Sequence, residues 1–511
     1  MTTFASVLYD PMSRAAAPRH VEEPAFFKDF NLDQIVAALT SGRDEYDLKP
    51  FFRTPTPDVN TVYYRHEIMK DLDREPVREV INRFSRRMQV MREQIVRVSK
   101  FNYKLQKERL FLDAIETYCD AIAVLARELS GQELRSRGLL GFRDYLLASI
   151  EADDFQILHN ETRQIREALT SIVYTLLIRD WGVSVCKYTG ETDYGVEVQK
   201  TFEKFRQGDI KAFEFKVQDL PEMNHIEAGI LDFVAKLHPE IFAHLDRYCS
   251  QNEHYLDLVI ARFDREIQFF VSYLEFIEPM RRAGLSFCYP KLTMDKQVAA
   301  CACFDLALAG KLVGEKSPVV TNEFHLSDPE RIFVVSGPNQ GGKTTFARAF
   351  GQMHFLARLG CLVPGCSARL FFYDRLFSHF EKEEDIHNHR SKLEDDLVRV
   401  HGVLEQATPN SIMVLNEIFT STTLKDAVFL GRQILERIVE LDLICVCVTF
   451  MDELSLLSER TVSMVSTVVP DNPAQRTYRI VRRTADGRSY AMSIAQKYHL
   501  TYETLKERLS S

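Results

Sequence analysis

A glycine-rich turn set between an apolar β-branched run and a helical apolar pattern constrains this chain more than any other feature. Gly337-Pro338-Asn339-Gln340-Gly341-Gly342-Lys343-Thr344 fits the pattern G-x-x-x-x-G-K-[ST]. Arg331 to Ser336 ahead of it reads as a buried strand, and Thr345 to Leu359 behind it carries apolar residues at helical spacing. Such a turn lets successive backbone N–H groups converge on phosphate at the positive end of a helix. Lys343 then reaches the β- and γ-phosphates of a nucleoside triphosphate, and the Thr344 hydroxyl faces Mg²⁺. The pattern therefore implies a strand–loop–helix unit that binds a nucleotide.

The rest of the chain sets limits on that unit. At 511 residues there is room for two to four domains. A net charge of −9 argues against a generally basic nucleic-acid coat, while leaving room for local patches. No apolar run reaches the length of a membrane span, and Met1 to Arg19 lacks the apolar core of a signal peptide, so the expected location is cytoplasmic. Ten cysteines without paired Cys-x-x-Cys units read as reduced thiols. The spacing of Cys301 with Cys303, and of Cys445 with Cys447, puts each pair on one face of a buried strand.

Along the chain, Met1 to Pro24 reads as loosely ordered. Val77, Ile81, Phe84, Met88, Met91, Ile95 and Val98 alternate spacings of four and three, the seam of one long helix. The arginines between them, Arg83, Arg86, Arg87, Arg92 and Arg97, with Lys100, read as a solvated face. Helical patterns follow over Glu108 to Leu129 and Gly138 to Ile178. Trp181 to Tyr188 and Tyr194 to Val198 then alternate around Thr189-Gly190-Glu191, which predicts a hairpin, with Trp181 in a core. The tip, Trp181 to Glu222, is not basic. Helical periodicity returns from Asn224 to Arg282, and from about Val298 strands and helices alternate as in a parallel α/β sheet. Asp385, His387 and His389 resemble a metal cluster, but His-x-His in a polar stretch reads as solvated.

Nucleotide hydrolysis needs a distal acidic pair, one residue for the metal's water shell and one to orient the attacking water. Ser411-Ile412-Met413-Val414-Leu415-Asn416-Glu417 is an apolar strand ending in such a position. Glu417 is the expected water-polarising carboxylate. Asn416 can hydrogen-bond a metal-bound water but adds no charge, so weaker Mg²⁺ binding is expected.

These segments carry a resemblance to the MutS mismatch-repair ATPase family. Ser336 to Thr345, Leu362-Val363-Pro364-Gly365, Tyr373-Asp374-Arg375-Leu376-Phe377, Arg390 to Asp396, Asn416-Glu417-Ile418, Thr422-Thr423, Gly487 to Ala491 and Leu505 to Arg508 occur in the family's order over roughly residues 300–511. The resemblance implies an α/β P-loop NTPase of the ABC-type over 298–511. It also implies a largely helical core and lever over 51–297, with a strand-rich clamp tip at about 181–222. Residues 1–50 are then a partly disordered extension, and Tyr63 to Ile68 resembles the opening of the core. The family's amino-terminal mismatch-reading domain is not apparent.

By the same resemblance, Gly337, Pro338, Asn339, Gln340, Gly341, Gly342, Lys343, Thr344 and Thr345 hold ATP, with Arg482 near the adenine. Thr344 and Asn416 hold Mg²⁺ through water, Lys343 and Glu417 are catalytic, and Ser391 reaches the γ-phosphate of a partner subunit. Ser391 also fits a plain helix N-cap. Three departures stand out: Asn416 for aspartate, Phe450 for the sensor histidine after Thr449, and Phe419-Thr420-Ser421 for a Gly-Arg-Gly loop. Val319 stands where the family has an aromatic residue on adenine.

The implied function is an ATP-dependent clamp on DNA, acting as a homodimer in mismatch repair or related DNA processing, with other repair proteins as further partners and no membrane association. Two alternatives fit the same sequence: a nucleotide-gated binding or scaffold protein with little hydrolysis, and a relative directed at RNA or ribosomes.

Overall fold

The structure is a computed structural model that describes residues 4–11, 22–179, 182–191, 223–381, 391–469 and 472–485. The second strand expected at Tyr194 to Val198 lies outside these residues, as do Trp181, most of the tip, Asp385, His387, His389, Gly487 to Ala491 and Leu505 to Arg508. The chain divides into two compact units. One holds residues 74–134 and 139–264, with the first four residues; the other holds 5–73, 135–138 and 265–511. The division therefore does not follow the expected boundary near residue 298, and the segment before residue 74 groups with the carboxy-terminal part.

The first unit is built on the long helix Glu75–Lys100 and its neighbour Lys104–Ser130. Val77, Ile81, Phe84, Met88 and Met91 of the expected seam are buried, joined by Val80. Ile95 and Val98 are only half-buried, so the seam loosens toward the helix end. Arg83 pairs with Glu128 at 3.1 Å, and Arg87 donates to the Asp120 carbonyl at 3.3 Å. These charges tie the two helices together rather than only facing solvent, and Arg92 of the same set pairs with the buried Asp264. Helices Asp153–Thr170, His225–Leu237 and Pro239–Gln251 also belong to the unit, with most of Arg137–Glu151. Asn224 and Glu227 close a reciprocal capping box at the start of His225–Leu237, which fixes where that helix begins.

The hairpin differs from its expected form. β1 (Tyr174–Arg179) pairs antiparallel with β2 (Gly182–Lys187) from Tyr174–Lys187 to Arg179–Gly182. Helical periodicity was expected through Ile178, but the helix stops at Thr170. Val173, Thr175 and Ile178 are β-branched, and tertiary pairing with β2 overrides the short apolar pattern.

In the second unit the strands are β3 (Phe287–Cys288), β4 (Lys291–Thr293), β5 (Val298–Cys303), β6 (Asn322–Leu326), β7 (Ile332–Ser336), β8 (Val363–Pro364), β9 (Ser367–Phe371), β10 (Leu376–Phe380), β11 (Ile412–Asn416), β12 (Ile444–Val448), β13 (Thr461–Val469) and β14 (Asn472–Arg482). Among the described residues six of them form one sheet in the order β10-β11-β12-β7-β13-β14. The first five run parallel, as the alternation of strands and helices predicts, and β14 returns antiparallel at the edge. Every residue of β7, β11 and β12 is buried, as expected for strands covered on both faces. Cys445 and Cys447 are fully buried in β12, as their spacing predicts. Cys301 and Cys303 are not alike: Ala302 has φ 54° and the β5 register shifts there, so Cys301 is exposed and Cys303 buried. A bulge breaks the two-residue repeat that the spacing argument relied on.

Of the start expected to be loose, Met1 to Pro24, the described residues Ser6, Val7, Leu8 and Asp10 are buried, and packed residues follow it. Val7, Leu8, Phe27 and Phe30 are fully buried. Phe30 lies against Gly351 of the helix Lys343–Arg358, where an added Cβ would stand 2.7 Å from the ring. Gln352 donates to the Phe30 carbonyl at 2.8 Å, and Arg348 to the Asp29 carbonyl at 2.9 Å. Arg65, on the helix Val59–Leu72, is fully buried. Its Nε donates to the Leu8 carbonyl and its Nη1 to the Leu359 carbonyl, each at 2.8 Å. One guanidinium thus satisfies backbone acceptors at both ends of the chain segment that it joins. Among the described residues no helix is long and apolar enough to cross a membrane.

Candidate functional site

The loop after β7 is shaped by its glycines. Gly337 has φ 112° and Gly342 has φ 91°, and Gln340 also takes a left-handed conformation at φ 58°. Gly341 is glycine for a different reason: a Cβ there would stand 2.1 Å from Ser466 Oγ. Ser466, buried on β13, donates to the Gly341 carbonyl at 2.7 Å. The neighbouring strand thereby fixes the curvature of the loop. The helix Lys343–Arg358 starts at the expected place, with Gly342 as its N-cap residue, and its first N–H groups belong to the loop.

Lys343 is buried and folds back over the loop. Its Nζ donates to the Gly337 carbonyl at 3.0 Å, the Pro338 carbonyl at 3.2 Å and Asn339 Oδ1 at 3.3 Å. Glu417 Oε1 is 3.9 Å away. Burial holds the Lys343 ammonium below its usual pKa, and the Glu417 charge offsets part of that shift. Thr344 Oγ1 donates to Asn416 Oδ1 at 2.9 Å, so the two residues expected to share a metal lie side by side. Asn416 is the last residue of β11 and is buried. Glu417 follows with φ 54°, and its N–H donates to the Val448 carbonyl of β12 at 2.9 Å. A left-handed glutamate costs about 1–2 kcal/mol, and this bond holds it there. Thr345 is half-buried in the helix, one residue past this cluster.

The structure thus brings Lys343, Thr344, Asn416 and Glu417 together, and places other expected residues elsewhere. Arg482 sits opposite Met464 on β14, where it pairs with Glu330 and bonds His325 Nε2 at 2.7 Å. The arginine that touches the loop is Arg476, whose Nε donates to the Asn339 carbonyl at 3.2 Å. Tyr478 lies beside it with φ 59°; its carbonyl would be 3.4 Å from a Cβ on Gly342, and its side chain is exposed. Neither residue carries a sequence motif. They reach the loop only because β14 turns back along β13. Val319 is half-buried just ahead of β6. Phe450 is exposed beside Thr449, whose N–H donates to the Val335 carbonyl at 3.0 Å.

Ser391 caps the helix Lys392–Gln406, accepting from the Glu394 N–H at 3.3 Å. Side-chain contacts anchor that helix to the sheet. His379 Nε2 meets Asp396 Oδ1 at 3.0 Å, both buried. Glu381 accepts from Thr420 Oγ1 at 3.0 Å and pairs with Lys392; the Lys392 bond holds its carboxyl below the usual range. Thr420 belongs to the Phe419-Thr420-Ser421 stretch. Phe419 occupies a left-handed position at φ 60° and is fully buried, its ring part of the core beneath β11 and β12.

These residues fit a Mg²⁺-nucleotide. The loop leaves no space for a side chain at Gly341, Lys343 is the one ammonium folded into it, and Ser336 Oγ just before it is buried without a protein partner. Among the described residues no group of three or more His, Cys, Asp or Glu is placed to hold a metal, so a divalent ion here would rest on the Thr344 hydroxyl, the Asn416 amide, water and phosphate oxygens. A cavity of about 970 Å³ lined by Tyr118, Tyr145 and Asp257 lies in the helical unit and contains none of these residues.

Residues 333–508 match the family model described as MutS domain V. A DNA mismatch repair protein MutS from Rickettsia bellii is 30% identical over 186 residues, covering 35% of this chain and 21% of that protein. The protein of the same name from Rickettsia felis is 24% identical over 254 residues, covering 50% of this chain and 28% of that protein. The one from Rickettsia rickettsii is 29% identical over 186 residues, with 35% and 21% covered. The chain matches between 21% and 28% of the length of these relatives.

Proposed function

Because residues 333–508 match MutS domain V, we propose that the chain is an ATPase of the P-loop type whose nucleotide state governs its hold on DNA. The observation that carries this reading is the convergence of Lys343, Thr344, Asn416 and Glu417 on one glycine loop. Mg²⁺, when bound, supplies positive charge to the phosphate oxygens. Lys343 exchanges its loop carbonyls for β- and γ-phosphate oxygens, and the loop N–H groups bind the remaining charge. Thr344 and Asn416 orient the metal's water shell. Glu417 Oε1 accepts a hydrogen bond from the attacking water and holds its proton as the γ-phosphoryl group departs. Asn416 brings no charge to this work, which makes turnover slow.

Ser391 in this reading serves a second subunit as well as its own helix. Exposed at a helix N-terminus, it offers a hydroxyl to the γ-phosphate held by a partner copy, so that two copies close around DNA when both carry ATP. The relatives' shared name, DNA mismatch repair protein, supports DNA as the partner.

Asn416 and exposed Phe450 favour a second reading, in which ATP binding alone gates the protein and hydrolysis is negligible. Measuring nucleotide binding and phosphate release for the wild type, Lys343→Ala and Glu417→Gln, with and without duplex DNA, separates the two. The ATPase reading expects Lys343→Ala to lose binding, and Glu417→Gln to bind normally but release at least tenfold less phosphate. Equal phosphate release by wild type and Glu417→Gln supports the gating reading, and normal nucleotide binding by Lys343→Ala refutes both.

A further inference from the structure

Away from the nucleotide loop, two of the three cysteines gathered around the start of β9 are exposed: Cys301 on β5 and Cys366 just before β9. The third, Cys288 on β3, is half-buried. β5 and β9 run antiparallel with Cys301 opposite Ser367. The Cys366 N–H donates to the Cys301 carbonyl at 3.0 Å, and Cys366 Sγ lies 3.5 Å from the same carbonyl oxygen. Cys366 is the neighbour of Ser367, the direct partner of Cys301, and its single backbone bond to the Cys301 carbonyl limits the Cα separation to below about 7 Å by covalent geometry, within the span that a disulfide bridges. Two local features bring the sulfurs to one side. The bulge at Ala302 turns Cys301 outward, and Gly365, at φ 139°, lets the chain pass where a Cβ would stand 2.8 Å from the Cys301 carbonyl.

We propose that Cys301 and Cys366 are a redox-active thiol pair that closes to an intramolecular disulfide by exchange with a small-molecule disulfide such as oxidised glutathione. The Cys366 thiolate attacks one sulfur of oxidised glutathione, forming a mixed disulfide and releasing one glutathione thiolate. The Cys301 thiolate then attacks the Cys366 sulfur, the Cys366–glutathione bond breaks, and a second glutathione thiolate leaves. The two protons lost by the cysteines are taken up by the two glutathiones, and two electrons pass from the pair to the oxidant. The order follows from the side chains: the hydrogen bond with Cys366, together with the nearby Glu323 charge, raises the Cys301 thiol's pKa and so makes it the resolving partner. Burial pushes Cys288 up to about 11 and Cys303 up to about 12, which keeps both as thiols under the same conditions. The closed bond would link β5 to the start of β9 around a segment that includes β6, β7, the glycine loop and its helix. That constraint acts on the unfolded chain, so oxidation raises the melting temperature.

The test equilibrates the full reduced chain in buffers of graded reduced-to-oxidised glutathione ratio, blocks free thiols, and maps disulfide-linked peptides by mass spectrometry. The expected result is one linked peptide pair joining Cys301 to Cys366, with a rise of several degrees in melting temperature that dithiothreitol reverses. C301S and C366S, compared by circular dichroism to confirm folding, should each lose the link and the thermal shift. C301S should in addition trap glutathione on Cys366, because the resolving thiol is gone. A link between Cys288 and Cys366, or separate glutathione adducts on Cys301 and Cys366 in the wild type, overturns the proposal.

Discussion

Gly341→Ala tests whether β13, and not the glycine pattern alone, sets the shape of the nucleotide loop. The new methyl would stand 2.1 Å from Ser466 Oγ, 2.9 Å from the Pro338 carbonyl and 3.1 Å from Ser466 Cβ. The first contact is more than 1 Å inside normal van der Waals separation, roughly 3.5 Å between heavy atoms. Rotating the Ser466 side chain relieves that contact but gives up its 2.7 Å bond to the Gly341 carbonyl inside a buried site. Losing such a bond costs about 1–3 kcal/mol. The Pro338 carbonyl is backbone, so the loop itself must also shift, and overpacking of this kind costs about 1–3 kcal/mol more. The sum, about 2–6 kcal/mol, falls on the second unit. Ser466→Ala alone should cost about 1–3 kcal/mol, because it takes away the donor to the Gly341 carbonyl and opens little space. In the double variant the Oγ clash is absent, so the combined cost should fall below the sum of the single costs by at least about 1 kcal/mol. Urea unfolding followed by intrinsic fluorescence gives the stabilities, and a fluorescent ATP analogue reports the loop. A Gly341→Ala protein as stable as the wild type, or strictly additive costs, would refute the argument.

Two further outcomes follow from the site and its supports. Asn416→Asp adds a charge beside Thr344, and through one water layer that charge should favour Mg²⁺ by about 1–2 kcal/mol, roughly 5- to 30-fold in the Mg²⁺ dependence of nucleotide binding at fixed ionic strength; an unchanged dependence would remove Asn416 from the metal's surroundings. Burial holds His354 and His66 down at about 4, against about 6.5 in the unfolded chain. Above pH 6.5 both histidines are neutral in either state. As pH falls toward 4 the unfolded chain takes up protons that the folded one refuses, so stability drops across that window, by about 2 kcal/mol per histidine between pH 6.5 and 5. Comparing urea midpoints of the wild type and His354→Leu at pH 7 and pH 5 checks this: the variant should lose less on acidification, and equal losses would refute it.

Much of the second unit was readable from the sequence because its strands are long enough, and apolar enough, to be covered on both faces. β7 and β11 begin and end within a residue of the runs that predicted them, and β12 buries Cys445 and Cys447 as their spacing predicted. Where two periodicities compete over a short stretch, local pattern failed. Tyr174 to Ile178 looked helical and became a strand because β2 offered it hydrogen-bond partners. Cys301 and Cys303 looked alike until a single left-handed residue between them turned one outward. Met1 to Pro24 suggested loose order, and of its described residues Val7 and Leu8 are nonetheless buried, since a few apolar residues suffice when a finished helix offers them a surface.

The sequence by itself determined that a strand, a glycine loop and a helix follow one another, and that a lysine, a threonine and a distal Asn-Glu pair accompany them. Spacing along the chain encodes these because each depends on neighbours in sequence. Only the tertiary structure decided that Thr344 would meet Asn416, that Ser466 would close the back of the loop, and that Arg476 and Tyr478, rather than Arg482, would stand against it. Those contacts depend on strand order and register across a sheet, which place residues far apart in the chain side by side.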